Sequence, residues 1–369
     1  MKKALVHDWY YISGGAEKVV HSFNAIWSDF DHYALVDFLN DKDRNYILNG
    51  AKVNTSFIQN FPTAKSNHRK FLQFFPRAIE EFDLSDYELI LSSSASVAKG
   101  VLTHQNQLHI CYCHSPMRYA WDLYHQYLEE SNFGLLKGLY AKRVLHKMRT
   151  WDIINTNRVD VFIANSNYIK GRIKKIYNRE AIVIYPPVDV NAFALEEKKD
   201  NYYFTASRLV PYKKIKLIVS AFNNMPDKKL IVAGEGPELK NIKAIANNNI
   251  EILGFLESQE LNKYMSKAKA FVFAAEEDFG IIPVEAQACG TPVIAYNKGG
   301  TKETVVDQET GLLFNHQTED AIMEAVHKFE NLQFDPKVVR QNALRFSKER
   351  FEKEIKDFVL QQYENFKNR

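Results

Sequence analysis

Nine short runs, apolar on both faces, set the fold class of this chain. Ala4 to His7, Leu89 to Ser92, His109 to Cys113 and Val161 to Ala164 lie in the first half; Tyr202 to Ala206, Lys229 to Ala233, Ile250 to Leu253, Ala270 to Phe273 and Pro292 to Ala295 lie in the second. Helical patterns separate them, which is how parallel strands read when their sheet is covered on both sides. The expected class is α/β, with doubly wound sheets. A length of 369 residues exceeds one typical core and fits two such domains. The break is expected at Tyr185-Pro186-Pro187-Val188-Asp189, because consecutive prolines continue neither a ladder nor a helix, and the charged stretch Glu196 to Asp200 follows. That gives a Rossmann-like domain over 1–185 and a second over 186–346. The tail 347–369 is charged and helical in pattern, with Phe351, Ile355, Phe358 and Val359 on one stripe, and is expected to pack back on the first domain.

Composition narrows the function classes. A formal charge of +3, from 48 basic against 45 acidic residues, is too small to argue for nucleic acid. Three cysteines form neither a disulfide framework nor a zinc-binding spacing and fit a reducing compartment. The opening Met-Lys-Lys-Ala4-Leu5-Val6-His7 has no leader-type apolar region, and no apolar run approaches the roughly twenty residues that span a bilayer. A cytoplasmic protein is expected, with any membrane contact peripheral.

The segment Glu277-Asp278-Phe279-Gly280-Ile281-Ile282-Pro283-Val284-Glu285-Ala286, leading to Gly290-Thr291-Pro292, carries the most chemistry. It follows the run Ala270 to Phe273 and opens a helix, with Pro283 in the first turn and Gly290 past the end. Such a strand–loop–helix unit sets backbone N–H groups and a helix N-terminus at the carboxyl edge of a sheet, where a diphosphate would bind. Glu277 falls on the loop and Glu285 in the helix, and a carboxylate can accept two hydroxyl hydrogen bonds from a ribose or a sugar. Taken singly, either acid also serves as a local partner of the helix N-terminus.

Glu277 to Glu285 resembles the E-x7-E motif of the large retaining GT-B family that includes bacterial mannosyl- and glucosyltransferases. The surroundings agree: Ser207-Arg208-Leu209-Val210-Pro211-Tyr212-Lys213-Lys214, Gly234-Glu235-Gly236-Pro237, Ile252-Leu253-Gly254-Phe255 and Gly299-Gly300-Thr301-Lys302-Glu303. The resemblance is strong from about Tyr202 to Phe314 and looser before. It implies two Rossmann-like domains facing a central cleft, and a sugar transferred from a nucleotide diphosphate with no cofactor and no metal. By resemblance Arg208 and Lys213 bind the donor diphosphate, Glu285 the ribose hydroxyls and Glu277 the donor sugar. Backbone from Phe279 through Gly280 and Ile281 to Ile282 faces sugar and phosphates, while Gly234 and Phe255 lie near the base. Lys214 departs from the pattern, which often has Gly there.

In the first half, Ser13-Gly14-Gly15-Ala16-Glu17 is similar to the family's N-terminal glycine loop, and Gly15 is assigned to donor binding. It lacks the G-x-G-x-x-G fingerprint of a dehydrogenase. His114, at the end of His109 to Cys113, matches a His that contacts the donor sugar beside the reaction centre. Arg118-Tyr119-Ala120-Trp121-Asp122 is similar to mannosyltransferases of bacterial surface-polysaccharide synthesis. With Glu277, Arg208 and Lys213, His114 completes the expected catalytic set.

Asp41-Lys42-Asp43 has the letters of a metal site but reads as a polar surface turn. Basic clusters at Lys65 to Arg77, Lys137 to Arg149 and Lys170 to Lys175 fit solvated helix faces; the last two equally fit basic amphipathic helices on an anionic membrane. The expectation is a retaining hexosyltransferase that takes mannose from GDP-mannose to a glycan or lipid-linked acceptor, with a UDP-sugar transferase and a GT-B epimerase or phosphorylase as enzymatic alternatives. A basic nucleic-acid-binding or scaffold protein is the non-enzymatic one.

Overall fold

The computed structural model describes residues 1–131 and 133–368. Contacts divide the chain into two units, Met1–Tyr185 with Phe351–Arg369, and Pro186–Arg350.

The first unit is built on seven parallel strands: β1 (Lys3–His7), β2 (Phe30–Ala34), β3 (Val53–Thr55), β4 (Leu89–Ser94), β5 (Leu108–Cys113), β6 (Val161–Ala164) and β7 (Ala181–Val183). Their order is β3-β2-β1-β4-β5-β6-β7. The period of two divides each central strand between two cores. Leu5, Leu89, Leu91, Ile110 and Tyr112 pack on one face with Val19, Val20 and Phe23 of the helix Gly15–Ile26. Ala4, Val6 and Ile90 pack on the other with Phe75, Ala78, Ile79 and Met148. The last helix, Lys348–Lys367, joins the first of these cores through Phe351, Ile355, Val359 and Tyr363, each 6% exposed or less. Burial of the three apolar members contributes about 1.5–3 kcal/mol each. Ser347 stays with the second unit, since Val188 N–H donates to Phe346 O at 2.9 Å and Lys348 N–H to Val188 O at 3.0 Å.

The second unit has six parallel strands: β8 (Tyr203–Ala206), β9 (Leu230–Ala233), β10 (Ile250–Gly254), β11 (Ala270–Phe273), β12 (Val293–Tyr296) and β13 (Gly311–Phe314). Their order, β10-β9-β8-β11-β12-β13, reverses between β8 and β11. The first sheet reverses in the same way between β1 and β4. In open α/β sheets the crevice beyond the strands' carboxyl ends at such a reversal is where ligands bind.

Asp41-Lys42-Asp43 is not a loop. It opens the helix Asp41–Leu48, whose N-cap Asn40 accepts the Asp43 N–H at 2.8 Å. Both acids sit in the first turn, where they complement the helix dipole. The two basic helices also differ. In Asn167–Tyr177 the apolar stripe Ile169, Ile173 and Tyr177 is buried in a core, whereas in Leu135–Asn155 Leu135 and Leu136 are each 81% exposed. Among the described residues no helix is long and apolar enough to cross a membrane.

Candidate active site

In the second unit the site grows from the loops that follow β8, β9 and β11. The chain leaves β8 at Ala206, turns through Ser207–Val210 and makes a 3₁₀ turn at Pro211–Lys213 before the helix Ile215–Asn223. Lys214 caps that helix in the left-handed region, at φ +58°. That conformation favours glycine, which explains why the resembling sequences carry Gly where this chain has Lys.

The loop after β9 lies against the loop after β8. Ser207 N–H donates to Ala233 O at 3.2 Å and Leu209 N–H to Glu235 O at 2.8 Å. Gly234 permits the approach: its φ is +131°, and a Cβ there would stand 1.9 Å from Ser207 O. Between these loops opens a cavity of about 300 Å³ lined by Arg208, Gly234, Glu235, Phe255, Leu256 and Ile282 among others. Four of the residues expected from the sequence therefore share one cavity: Arg208, Gly234, Phe255 and Ile282. Arg208 is exposed, and the Phe255 ring is 64% exposed, placed to lie against a flat ligand.

After β11 the chain runs through Ala274 to Glu277, and the Lys213 ammonium forms an ion pair with the Glu277 carboxylate. Their side chains are 16% and 19% exposed, so the pair is shielded yet reachable. The loop is held from below by Gly300, whose N–H donates to Glu277 O at 2.8 Å and whose Cα has backbone of Phe279 directly above it. Phe279 itself is a core side chain, 3% exposed, meeting the Phe346 ring edge-on at 5.4 Å. Only its backbone can serve a ligand.

Gly280 then caps the helix Ile281–Ala288 without any side-chain cap, leaving N–H groups of the first turn to other acceptors. Ile281, Ile282 and Glu285 form the half-exposed face of this helix, the rest being buried. Glu285 stands one turn from Ile282 and so on the same side as the cavity. Arg208, Lys213, a helix N-terminus and two carboxylates are thus gathered at the carboxyl ends of β8 and β11. Such a set can hold a diphosphate by charge and hydroxyl groups by acceptance.

In the first unit Gly15 and His114 lie at the ends of β1 and β5, beside the other reversal. Gly15 is the first residue of its helix; Gly14 N–H donates to Glu17 Oε2 at 3.0 Å. His114 follows β5, and its Nε2 is 2.8 Å from Ser93 Oγ. The Ser93 hydroxyl and carbonyl are each 3.1 Å from His7 Nδ1, and His7 Nε2 is 3.5 Å from Glu17 Oε1. Burial pushes the His114 imidazole down to about 3, with His7 acting in the same direction. Asp8 fixes the frame: its carboxylate accepts N–H groups of Ala95, Val97 and Ala98, all at 2.7 Å.

His7, Asp8 and Ser93 were not singled out from sequence. A polar pair directly after an apolar run, His7-Asp8, facing the serine run Ser92 to Ser96, was the available signal.

Two family models match the chain: Glycosyltransferase Family 4 over residues 13–192 and Glycosyl transferases group 1 over residues 189–346. An uncharacterized glycosyltransferase of Methanocaldococcus jannaschii is 30% identical over 198 residues, 52% of this chain and 56% of that one. A GDP-mannose-dependent alpha-(1-6)-phosphatidylinositol monomannoside mannosyltransferase of Mycolicibacterium smegmatis is 28% identical over 201 residues, 46% of this chain and 53% of that one. The chain spans about half the length of the curated relatives it matches. Among solved structures, Anabaena HepE in complex with UDP and glucose superposes with a TM-score of 0.67 at 17% identity, over 97% of this chain and 99% of that one. The two glycosyltransferase models together span residues 13–346, and the fold over 97% of the chain is that of GT-B glycosyltransferase structures.

Proposed function

We propose that this protein is a retaining hexosyltransferase that takes mannose from GDP-mannose and adds it to a glycan, lipid-linked, in bacterial surface-polysaccharide synthesis. The observation that carries the reading is the gathering of Arg208 and the Lys213–Glu277 pair at the strand-order reversal of the second unit, beside the start of Ile281–Ala288. In this reading the two cations and the helix N-terminus take the negative charge that develops on the departing diphosphate. Glu285 holds the ribose, Glu277 the sugar hydroxyls, and His114 contacts the sugar.

The bond between the sugar's anomeric carbon and phosphate breaks through an oxocarbenium-like state. The acceptor hydroxyl attacks on the face the phosphate leaves, and that phosphate takes its proton, so no carboxylate acts as nucleophile. The Mycolicibacterium relative's GDP-mannose dependence supports the choice of donor. UDP and glucose in the HepE structure favour a UDP-sugar as the second reading.

A cytoplasmic protein resting on the inner membrane face is part of the proposal. Its support is the exposed apolar group Leu135, Leu136, Leu139 and Tyr140 set among the exposed cations Lys137, Lys142, Arg143 and Lys147. A thermal-shift panel of GDP, UDP and ADP with their sugars, followed by transfer from a labelled donor, tests the activity. Stabilisation by GDP and release of GDP with an elongated acceptor are expected. Stabilisation by none of the three refutes the donor site.

A further inference from the structure

The cluster at the reversal of the first sheet settles more than the position of His114. His7 and Ser93 are register partners on β1 and β4, so their side chains are brought together by the sheet itself. His7 is 3% and Ser93 0% exposed, whereas His114 and Glu17 are partly exposed. A chain of contacts therefore runs from an accessible imidazole through two buried groups to the glycine loop.

The direction of its hydrogen bonds follows from donor inventory. The Ser93 carbonyl only accepts, so the proton between it and His7 lies on His7 Nδ1. The same N–H also points at Ser93 Oγ, which leaves the hydroxyl's single hydrogen for its remaining partner, His114 Nε2, at 2.8 Å. His114 Nε2 is then an acceptor. Since burial keeps this ring uncharged at neutral pH, its one proton sits on Nδ1. Glu17 closes the far end by facing His7 Nε2 and accepting the Gly14 N–H, so the imidazole and the loop ahead of Gly15 are fixed by one network.

We propose that Ser93, backed by His7, is a positioning residue that holds His114 in the tautomer protonated at Nδ1, so that His114 meets an oxygen of the donor sugar as a hydrogen-bond donor and not as a base. The tautomer stands on the hydrogen-bond geometry together with a ring that is uncharged at neutral pH; the role given to the Nδ1–H rests on the proposed transfer reaction.

Nitrogen-15 spectra of the full chain with labelled histidine, assigned through His114→Gln, read the tautomer directly. At pH 7 the wild-type protein is expected to show a protonated Nδ1 and an unprotonated Nε2 for residue 114, and Ser93→Ala a mixture of both tautomers with an unchanged circular-dichroism spectrum. A wild-type ring protonated at Nε2 or at both nitrogens overturns the proposal, as does a Ser93→Ala spectrum identical to wild type. In transfer assays Ser93→Ala is expected to lower kcat about tenfold, the value of one oriented hydrogen bond, with KM for the donor changed by less than about twofold. A loss confined to KM refutes the positioning role. If wild type turns over no nucleotide sugar, the transfer reading fails while the spectra still decide the tautomer.

Discussion

Replacing Gly300 by Ala tests whether the loop bearing Glu277 must sit where the structure places it. The backbone at Gly300 has φ −67°, ordinary for any residue, so the effect is steric and not conformational. A Cβ there would stand 2.2 Å from both Cα and O of Phe279, and ordinary contact begins at 3.4 Å, so the Glu277–Phe279 loop has to retreat by about 1.2 Å. Overpacking of this kind costs about 1–3 kcal/mol of stability. A shift of about 1 Å in a positioning loop costs about 10²-fold in turnover.

The comparison is Gly311→Ala on the edge strand β13, where a Cβ would stand 2.0 Å from Val293 O. Both variants should unfold at lower guanidinium concentration. At a temperature where both remain folded, Gly300→Ala should lose about 10²-fold in kcat/KM, and Gly311→Ala should stay within a few-fold of wild type. Equal losses in the two, or a Gly300→Ala enzyme with wild-type kcat/KM, would refute the argument.

Four further outcomes are expected. Lys213→Ala should lower kcat about 10²–10³-fold, while Lys213→Arg keeps part of the activity, measured as transfer at saturating donor. Lys214→Gly should raise stability by about 0.5–1 kcal/mol in urea titrations, because the left-handed φ of +58° is released. His32, His68 and His109 are each held down to about 4 by burial. Between pH 6.5 and 4 the unfolded chain thus binds more protons than the folded one, and stability should fall on acidification, by roughly 1 kcal/mol or more per buried histidine at pH 5; equal urea midpoints at pH 7 and pH 5 would contradict this. Leu135→Glu with Leu136→Glu should abolish flotation with vesicles rich in phosphatidylglycerol and leave the melting temperature unchanged, because both side chains are 81% exposed.

The central strands were legible because both of their faces are buried: β1, β6, β8, β9, β11 and β12 read as near-continuous apolar runs, as do Leu89-Ile90-Leu91 of β4 and Ile110-Cys111-Tyr112-Cys113 of β5. β2 was not, since Phe30-Asp31-His32-Tyr33-Ala34 buries alternate residues and carries Asp31 to solvent. β3 and β7 have three residues each at the sheet edges, too short for any period to show, and β13 is a four-residue edge strand.

At the site, residues on the loops beyond β8 and β11 could be found because their spacing along the chain is their spacing in the motif. The His7–Ser93–His114 contacts could not, because residues 86 and 21 apart meet only through strand register. Asp41-Lys42-Asp43 was misread because an Asn cap followed by acids describes both a turn and the first turn of a helix.

The return of the last helix to the first unit carries a consequence for how the chain is made. Phe351, Ile355, Val359 and Tyr363 complete a core whose other walls were synthesised more than 150 residues earlier, with the whole of Pro186–Arg350 in between. On the ribosome the intervening unit can reach its final contacts first, while the earlier one waits with an apolar groove uncovered. The first half of this protein is therefore the last to mature, and the interval in which apolar surface stays uncovered belongs to the segment translated earliest.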